Sequence, residues 1–237
     1  MHVPFWLTTA LLSPILLYQG KRARRVTPRL PEASGETSGQ YGEGTPEFRL
    51  QVIGESTAAG VGVETHSNGL ASQLALRLHE RTGKTIGWQT FGVNGIRLGN
   101  LLQTLASENL PAADAVLLSM GVNDTTGFTS RAQFRRHLNT LHGAIAPLSR
   151  APITLLSVPP MEKFTALPSP LRHIMGWRAR QLDRIYQELA EQAPTDFRYL
   201  KYPTVEDPTL LASDGYHPSQ RGYQFIAEAL STQDWGL

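Results

Sequence analysis

The chain has no cysteine, which excludes disulfides, thiolate catalysis and cysteine-ligated zinc and leaves the redox compartment open. It also has little net charge: 22 Lys and Arg against 20 Asp and Glu leave +2. A pI near 9.0 is therefore no sign of nucleic-acid binding, and no nucleic acid is expected as a partner. Five basic residues (Lys21, Arg22, Arg24, Arg25 and Arg29) crowd into one segment, so the remainder is nearly balanced. No internal repeat is visible. The glycine-rich stretch from Gly54 to Gly62 lacks the Lys-Ser/Thr of a phosphate loop and has no dinucleotide fingerprint. His66, His79, His137, His142 and His173 are scattered without metal-ligand spacing, and neither a metal nor another cofactor is expected.

What is present suits one α/β domain and a tail: 237 residues, 41% hydrophobic and 18% charged. Residues 3–18 carry no charge, are interrupted by Pro14, and end at the basic cluster. The run is shorter than the ~20 residues a membrane span needs. A secretory signal would place its charge before the apolar run and a cleavage site after it, the reverse of what is found. Residues 1–20 are therefore expected to be an uncleaved anchor or interfacial helix. A polybasic flank would bring residues 1–25 to a membrane surface on the cytoplasmic side. The alternative is a helix packed on the domain. Residues 21–47, basic and then rich in Pro, Gly, Glu and Ser, have the composition of a linker, which places the folded domain at 48–237.

Apolar runs that stop at turn residues read as strands up to Ile53 and over 86–93, 114–120, 152–158 and 197–202. Helical spacing covers 68–81, 98–106, 130–148, 171–192 and 219–230. Strands alternating with helices imply a parallel sheet with helices on both faces.

Polar residues fall where these strands end. Ser56 follows the first, Gly95 the second and Asn123 the third, while Asp214-Gly-Tyr-His217 precedes the last helix. In a parallel sheet those ends open at one edge. Acyl transfer needs a nucleophile, a base, a group that orients the base, and donors for an oxyanion. Ser56 suits the first role, although a serine after a strand is more commonly a helix cap. His217 suits the second and Asp214 the third, with Gly215 allowing the tight turn between them. The N–H groups of Ser56 and Gly95 and the side-chain amide of Asn123 suit the fourth.

In this order the blocks resemble the SGNH (GDSL-type) hydrolases, which contribute Ser, Gly, Asn and His in turn. Ser56 lies in Gly54-Glu-Ser56, Gly95 in Phe91-Gly-Val-Asn-Gly95, Asn123 in Gly121-Val-Asn-Asp124, and His217 in the Asp-x-x-His block. The resemblance implies a flavodoxin-like three-layer α/β/α sandwich with a five-stranded parallel sheet. It also implies a metal-independent serine esterase, thioesterase or lipase. Two points stand apart: Glu55 occupies a position where that family usually has Asp, and Gly92 is a second choice for Gly95. The near-match to the Gly-x-Ser-x-Gly elbow of α/β-hydrolases is set aside, because only one short strand precedes Ser56.

Among the remaining residues, Asp124 is expected to bond within its turn, and Arg97 to be solvated or to touch a substrate headgroup. The loop 159–171 leaves a strand end and is apolar and irregular, so Met161, Phe164 and Leu167 are expected to form an acyl-binding wall or to pack under the next helix. The expected function is a Ser-His-Asp ester hydrolase for a small-molecule ester, with the leading segment favouring lipid-derived esters such as lysophospholipids. Its rivals are a carbohydrate O-deacetylase of the same fold and a non-catalytic membrane-tethered binding module.

Overall fold

The structure, a computed structural model, describes residues 3–105, 108, 110–203 and 207–237. Six strands build one sheet: β1 (Ser38–Tyr41), β2 (Phe48–Gly54), β3 (Ile86–Gly92), β4 (Ala115–Ser119), β5 (Ile153–Leu156) and β6 (Phe197–Leu200). Their spatial order is β1-β3-β2-β4-β5-β6. Strands β2 to β6 run parallel, and their order is the flavodoxin-like 2-1-3-4-5. Residues alternate between the faces: Leu50, Val52 and Leu117 point into one buried cluster, Ile53, Val116 and Leu118 into the other. Each fully buried Leu, Ile or Val contributes about 1.5–3 kcal/mol relative to exposure, which is why the continuous apolar runs lie mid-sheet.

Helices α3 (Leu70–Thr82) and α8 (Gln220–Ser231) cover one face. The other is covered by α4 (Leu98–Leu105), α6 (Arg131–Ile145) and α7 (Leu171–Gln192), with the short α5 (Val122–Thr126) at the sheet edge. The helix expected over 98–106 is α4; Ala106 lies outside the described residues, as do Met1 and His2 of the leading segment.

One expectation needs correction. The sheet has six strands rather than five, because β1 pairs antiparallel with β3 inside the stretch read as linker. Composition detects burial, and β1 buries almost nothing; it is held by backbone pairing at the open edge of β3. Gly39 lies against the Trp88 ring, where a Cβ would come within 3.0 Å. Upstream, Ala33 N–H donates to Ala59 O (3.0 Å) and Ser34 N–H to Glu64 O (3.0 Å). The folded unit thus begins well before residue 48.

The leading segment forms two helices, α1 (Val3–Leu11) and α2 (Ser13–Val26), the latter opening with Pro14 in its first turn. Both pack on the domain: Phe5 is fully buried against Trp177, and Leu16 and Ala23 join the same core. Among the described residues no helix is long and apolar enough to cross a membrane.

Candidate active site

Strand β2 lies between β3 and β4, where the chain reverses its direction across the sheet, and its end defines the site. Gly54 pairs with Gly92 on one side and Ser119 on the other. Glu55 N–H still reaches Ser119 O (3.1 Å), and Ser56 is the first residue beyond the sheet. The chain then makes a loose turn, with Ala59 N–H on Glu55 O and Val61 N–H on Ser56 O (both 3.0 Å). No helix starts there. A 3₁₀ turn at His66–Asn68 comes next and α3 begins at Leu70 with Gly69 as its N-cap, so Ser56 is not a helix cap. Among the described residues its N–H has no acceptor, and neither has the N–H of Gly95.

Glu55 meets the third block directly. Its Oε1 accepts from Val122 N–H (2.8 Å), and its Oε2 accepts from Asn123 N–H (2.9 Å) and from the Asn123 side-chain amide (2.6 Å). It therefore caps the N-terminus of α5 and fixes the Asn123 side chain, with the second hydrogen of that amide left to donate. Burial pushes the Glu55 carboxyl up to about 7; the bonds from Asn123 and Val122 act against that rise, and the charge of Asp124 adds to it. Asp124 is buried and accepts from Leu98 N–H (2.9 Å), tying α4 to α5. Arg97 packs against Gly127 and lines no cavity at the site.

The Asp214–His217 turn is held from within. Asp214 Oδ1 accepts from the N–H groups of Tyr216 (2.9 Å) and His217 (3.0 Å), while Oδ2 lies 2.6 Å from His217 Nδ1. Gly215 turns the chain at φ +63°, a conformation costly for a residue with a Cβ. Burial raises the Asp214 carboxyl, but the bonds from His217 and Tyr216 and the His217 charge outweigh it, and the net shift is downward. With Nδ1 engaged, Nε2 is the nitrogen left to accept a proton. The Tyr216 ring packs between Phe164 (4.6 Å) and His217 (5.2 Å) and fixes the imidazole from the side.

Two hollows meet at His217. A small cleft of about 40 Å³ is lined by Ser56, Val122, Phe164, Tyr216 and His217 among others. Ser56 and His217 share no hydrogen bond; both line this cleft, and such pairs commonly tighten only with substrate bound. A cavity of about 800 Å³ opens on the other side, bringing Gly95, Asn123, Asp214 and His217 together under α2. Gly92 is placed differently: a Cβ there would lie 2.1 Å from Ala59 N, so its role is close packing of β3 under the Ser56 turn. Of the loop residues, Phe164 lines the cleft and Leu167 the cavity, whereas Met161 is fully buried and lines neither.

Sequence reasoning missed the part played by residues 16–30 as the roof of the cavity. Their small or apolar positions Leu16, Gly20 and Ala23, followed by Thr27, recur at helical spacing, a signal hidden by the basic residues between them.

Residues 52–225 match the profile of the GDSL-like Lipase/Acylhydrolase family. The chain belongs to that family. This GDSL-like hydrolase is 27% identical over 241 residues to the GDSL-like esterase Rv1075c of Mycobacterium tuberculosis (strain ATCC 25618 / H37Rv), covering 91% of this chain and 74% of that protein. Its fold is similar to the lipase/acylhydrolase from Enterococcus faecalis, with TM-score 0.57, 20% identity, and 80% of this chain and 96% of that chain covered. It is likewise similar to LAE5, an alpha/beta hydrolase enzyme from the metagenome of Lake Arreo, Spain, with TM-score 0.58, 19% identity, and 79% and 94% covered. The family is the one the four blocks resemble, and it makes this GDSL-like chain an esterase-type hydrolase.

Proposed function

We propose that the chain is a serine ester hydrolase that works through an acyl-enzyme on Ser56 and takes lipid-derived or other long acyl esters. The observation that carries this is the Asp214–His217 pair, joined at 2.6 Å, with His217 and Ser56 lining one cleft. Ser56 Oγ attacks the ester carbonyl as His217 Nε2 takes its proton, and Asp214 holds the imidazole in the required tautomer. The N–H groups of Ser56 and Gly95 and the free hydrogen of the Asn123 amide receive the oxyanion; each such donor supplies about 3–4 kcal/mol. Collapse expels the alcohol with the proton from His217. Water then attacks the acyl-enzyme by the same route reversed.

The larger cavity supports the substrate class. Leu16, Leu17, Leu167, Leu171 and Met175 give it an aliphatic wall, suited to a chain rather than to the aromatic and polar surface that binds sugars. A binding module, in turn, has no use for an Asp–His pair on the same cleft as a serine. The test is a fluorophosphonate adduct mapped by peptide mass, alongside 4-nitrophenyl ester hydrolysis by parent and Ser56→Ala. An adduct on Ser56 and loss of turnover in the variant are expected; equal rates, or an adduct elsewhere, would refute the assignment.

The outer face of α1 and α2 supports a second part of this proposal, contact with a membrane surface. Trp6, Leu7, Leu11 and Tyr18 are 50–81% exposed there, next to Arg22 and Arg25. Co-sedimentation with anionic vesicles is expected to fall several-fold in a Leu7→Asp, Leu11→Asp variant; unchanged partitioning would retire the idea.

A further inference from the structure

Three cations line the large cavity: Lys21 and Arg24 on α2, and Arg29 just beyond it. The one carboxylate in the same lining is Asp214, which His217 already engages. Among the described residues none of the three cations has a hydrogen bond or an ion pair, whereas Arg77, Arg135 and Arg180 elsewhere on the surface are each paired with a glutamate. All three are exposed, and the helix that carries Lys21 and Arg24 is held in place. The Gln19 side chain donates to Ser169 O (2.7 Å) and accepts from Leu171 N–H (3.1 Å), latching α2 to the start of α7, and Leu16 and Ala23 are buried beneath it. Arg24 is also close to the reacting groups: burial raises the Tyr216 hydroxyl, and of the neighbouring charges only Arg24 pulls it back. Positive charges gathered in a partly enclosed apolar hollow repel one another and favour any anion that can reach them.

We propose that Lys21, Arg24 and Arg29 form an anion-binding subsite in the roof of the cavity, so that the preferred ester carries a carboxylate or phosphate on the part that fills it. The inference deepens the esterase reading and rests on it for the word substrate, but the subsite is a binding site in its own right. The aliphatic wall takes the chain, the cations take its charged end, and the ester carbonyl lies toward Asn123 and His217.

The test uses the full chain and monomeric ligands, below the concentration at which they form micelles. Octyl phosphate, octanoate and octyl glucoside are titrated by calorimetry and also as inhibitors of 4-nitrophenyl butyrate hydrolysis. At least one of the two anions is expected to bind about tenfold or more tightly than the glucoside, less so as salt is raised, and the stronger of the two identifies the charged group. Arg24→Glu is expected to abolish that preference. Arg22→Glu, the same charge change on the same helix but outside the cavity, is expected to keep it within twofold. Equal binding of anions and glucoside, or an equal effect of both variants, overturns the subsite. Anion binding seen only on vesicles overturns it too and assigns the cations to a membrane surface. Anion-selective binding without hydrolysis of any ester would instead sink the esterase reading and leave the subsite standing.

Discussion

Replacing Glu55 by Gln tests how the oxyanion donor is held. The carboxylate is 3% exposed and receives three N–H donors, two of them on Oε2. Gln has the same shape, but one of its two ends is itself a donor. Its better orientation keeps the oxygen on the two Asn123 groups and turns the amide nitrogen toward Val122 N–H, leaving that N–H unpaired. An orphaned buried donor costs about 1–3 kcal/mol, and the charge lost from the N-terminus of α5 adds about 0.3–1 kcal/mol. Part of this is offset because folding already raises the carboxyl from 4.5 to about 7. The folded protein binds that proton more tightly than the unfolded chain. The parent therefore loses stability as pH rises from about 4.5 to about 7, by roughly 3 kcal/mol between the limits, and is level above that. The Gln variant lacks this slope. In catalysis, losing the Asn123 donor altogether would cost about 3–4 kcal/mol, so a loosened donor is expected to lower kcat by roughly 10- to 100-fold with little change in KM. Protonation of Glu55, whose carboxyl is raised to about 7, is expected to add a step to the parent's acid limb that the variant lacks. Steady-state hydrolysis of a 4-nitrophenyl ester from pH 5 to 9 reads both effects. A variant with parental kcat and an unchanged acid limb would show that Glu55 does not act by holding Asn123 as a carboxylate.

Asp214→Asn can keep its oxygen on the Tyr216 and His217 N–H groups only by turning its amide nitrogen toward His217 Nδ1, which selects the wrong tautomer. kcat is expected to drop roughly 10³- to 10⁴-fold with KM nearly unchanged, and a loss under tenfold would contradict this geometry. Gly92→Ala places a Cβ 2.1 Å from Ala59 N and 2.4 Å from Ala58 C. Overpacking of about 2–3 kcal/mol is expected to lower Tm by roughly 5–10 °C in a thermal scan, and an unchanged Tm would show that the Ser56 turn has room to move.

Much of the fold was legible because it rests on burial, which apolar runs report directly. The helix read over 171–192 is α7 from end to end, and the central strands fall within a residue or two of their expected limits. Edge pairing leaves no such trace, so the exposed, glycine-containing β1 passed for linker. At the site, Asp214 and His217 were readable because the pair is local, three residues apart. The bonds from Val122 and Asn123 to Glu55 cross 67 and 68 residues, and no spacing rule reaches that far; the departure from Asp was visible, its purpose was not. The loop 159–171 shows a third kind of ambiguity. Met161, Phe164 and Leu167 are all apolar and all buried, yet only the last two border open space, because a wall and a core have the same composition.

The roof over the cavity lies outside the stretch that matches the family, which begins at residue 52. The proposed reacting groups thus lie in one part of the chain, and much of the cavity wall lies in another. The two are joined by a few contacts, among them the Gln19 latch and the seating of Phe5 on Trp177. Exchanging the leading thirty or so residues for others of similar amphipathic design would leave Ser56, Asn123, Asp214 and His217 untouched while replacing most of one wall. The proposed substrate choice and reaction chemistry then rest on separate parts of the chain.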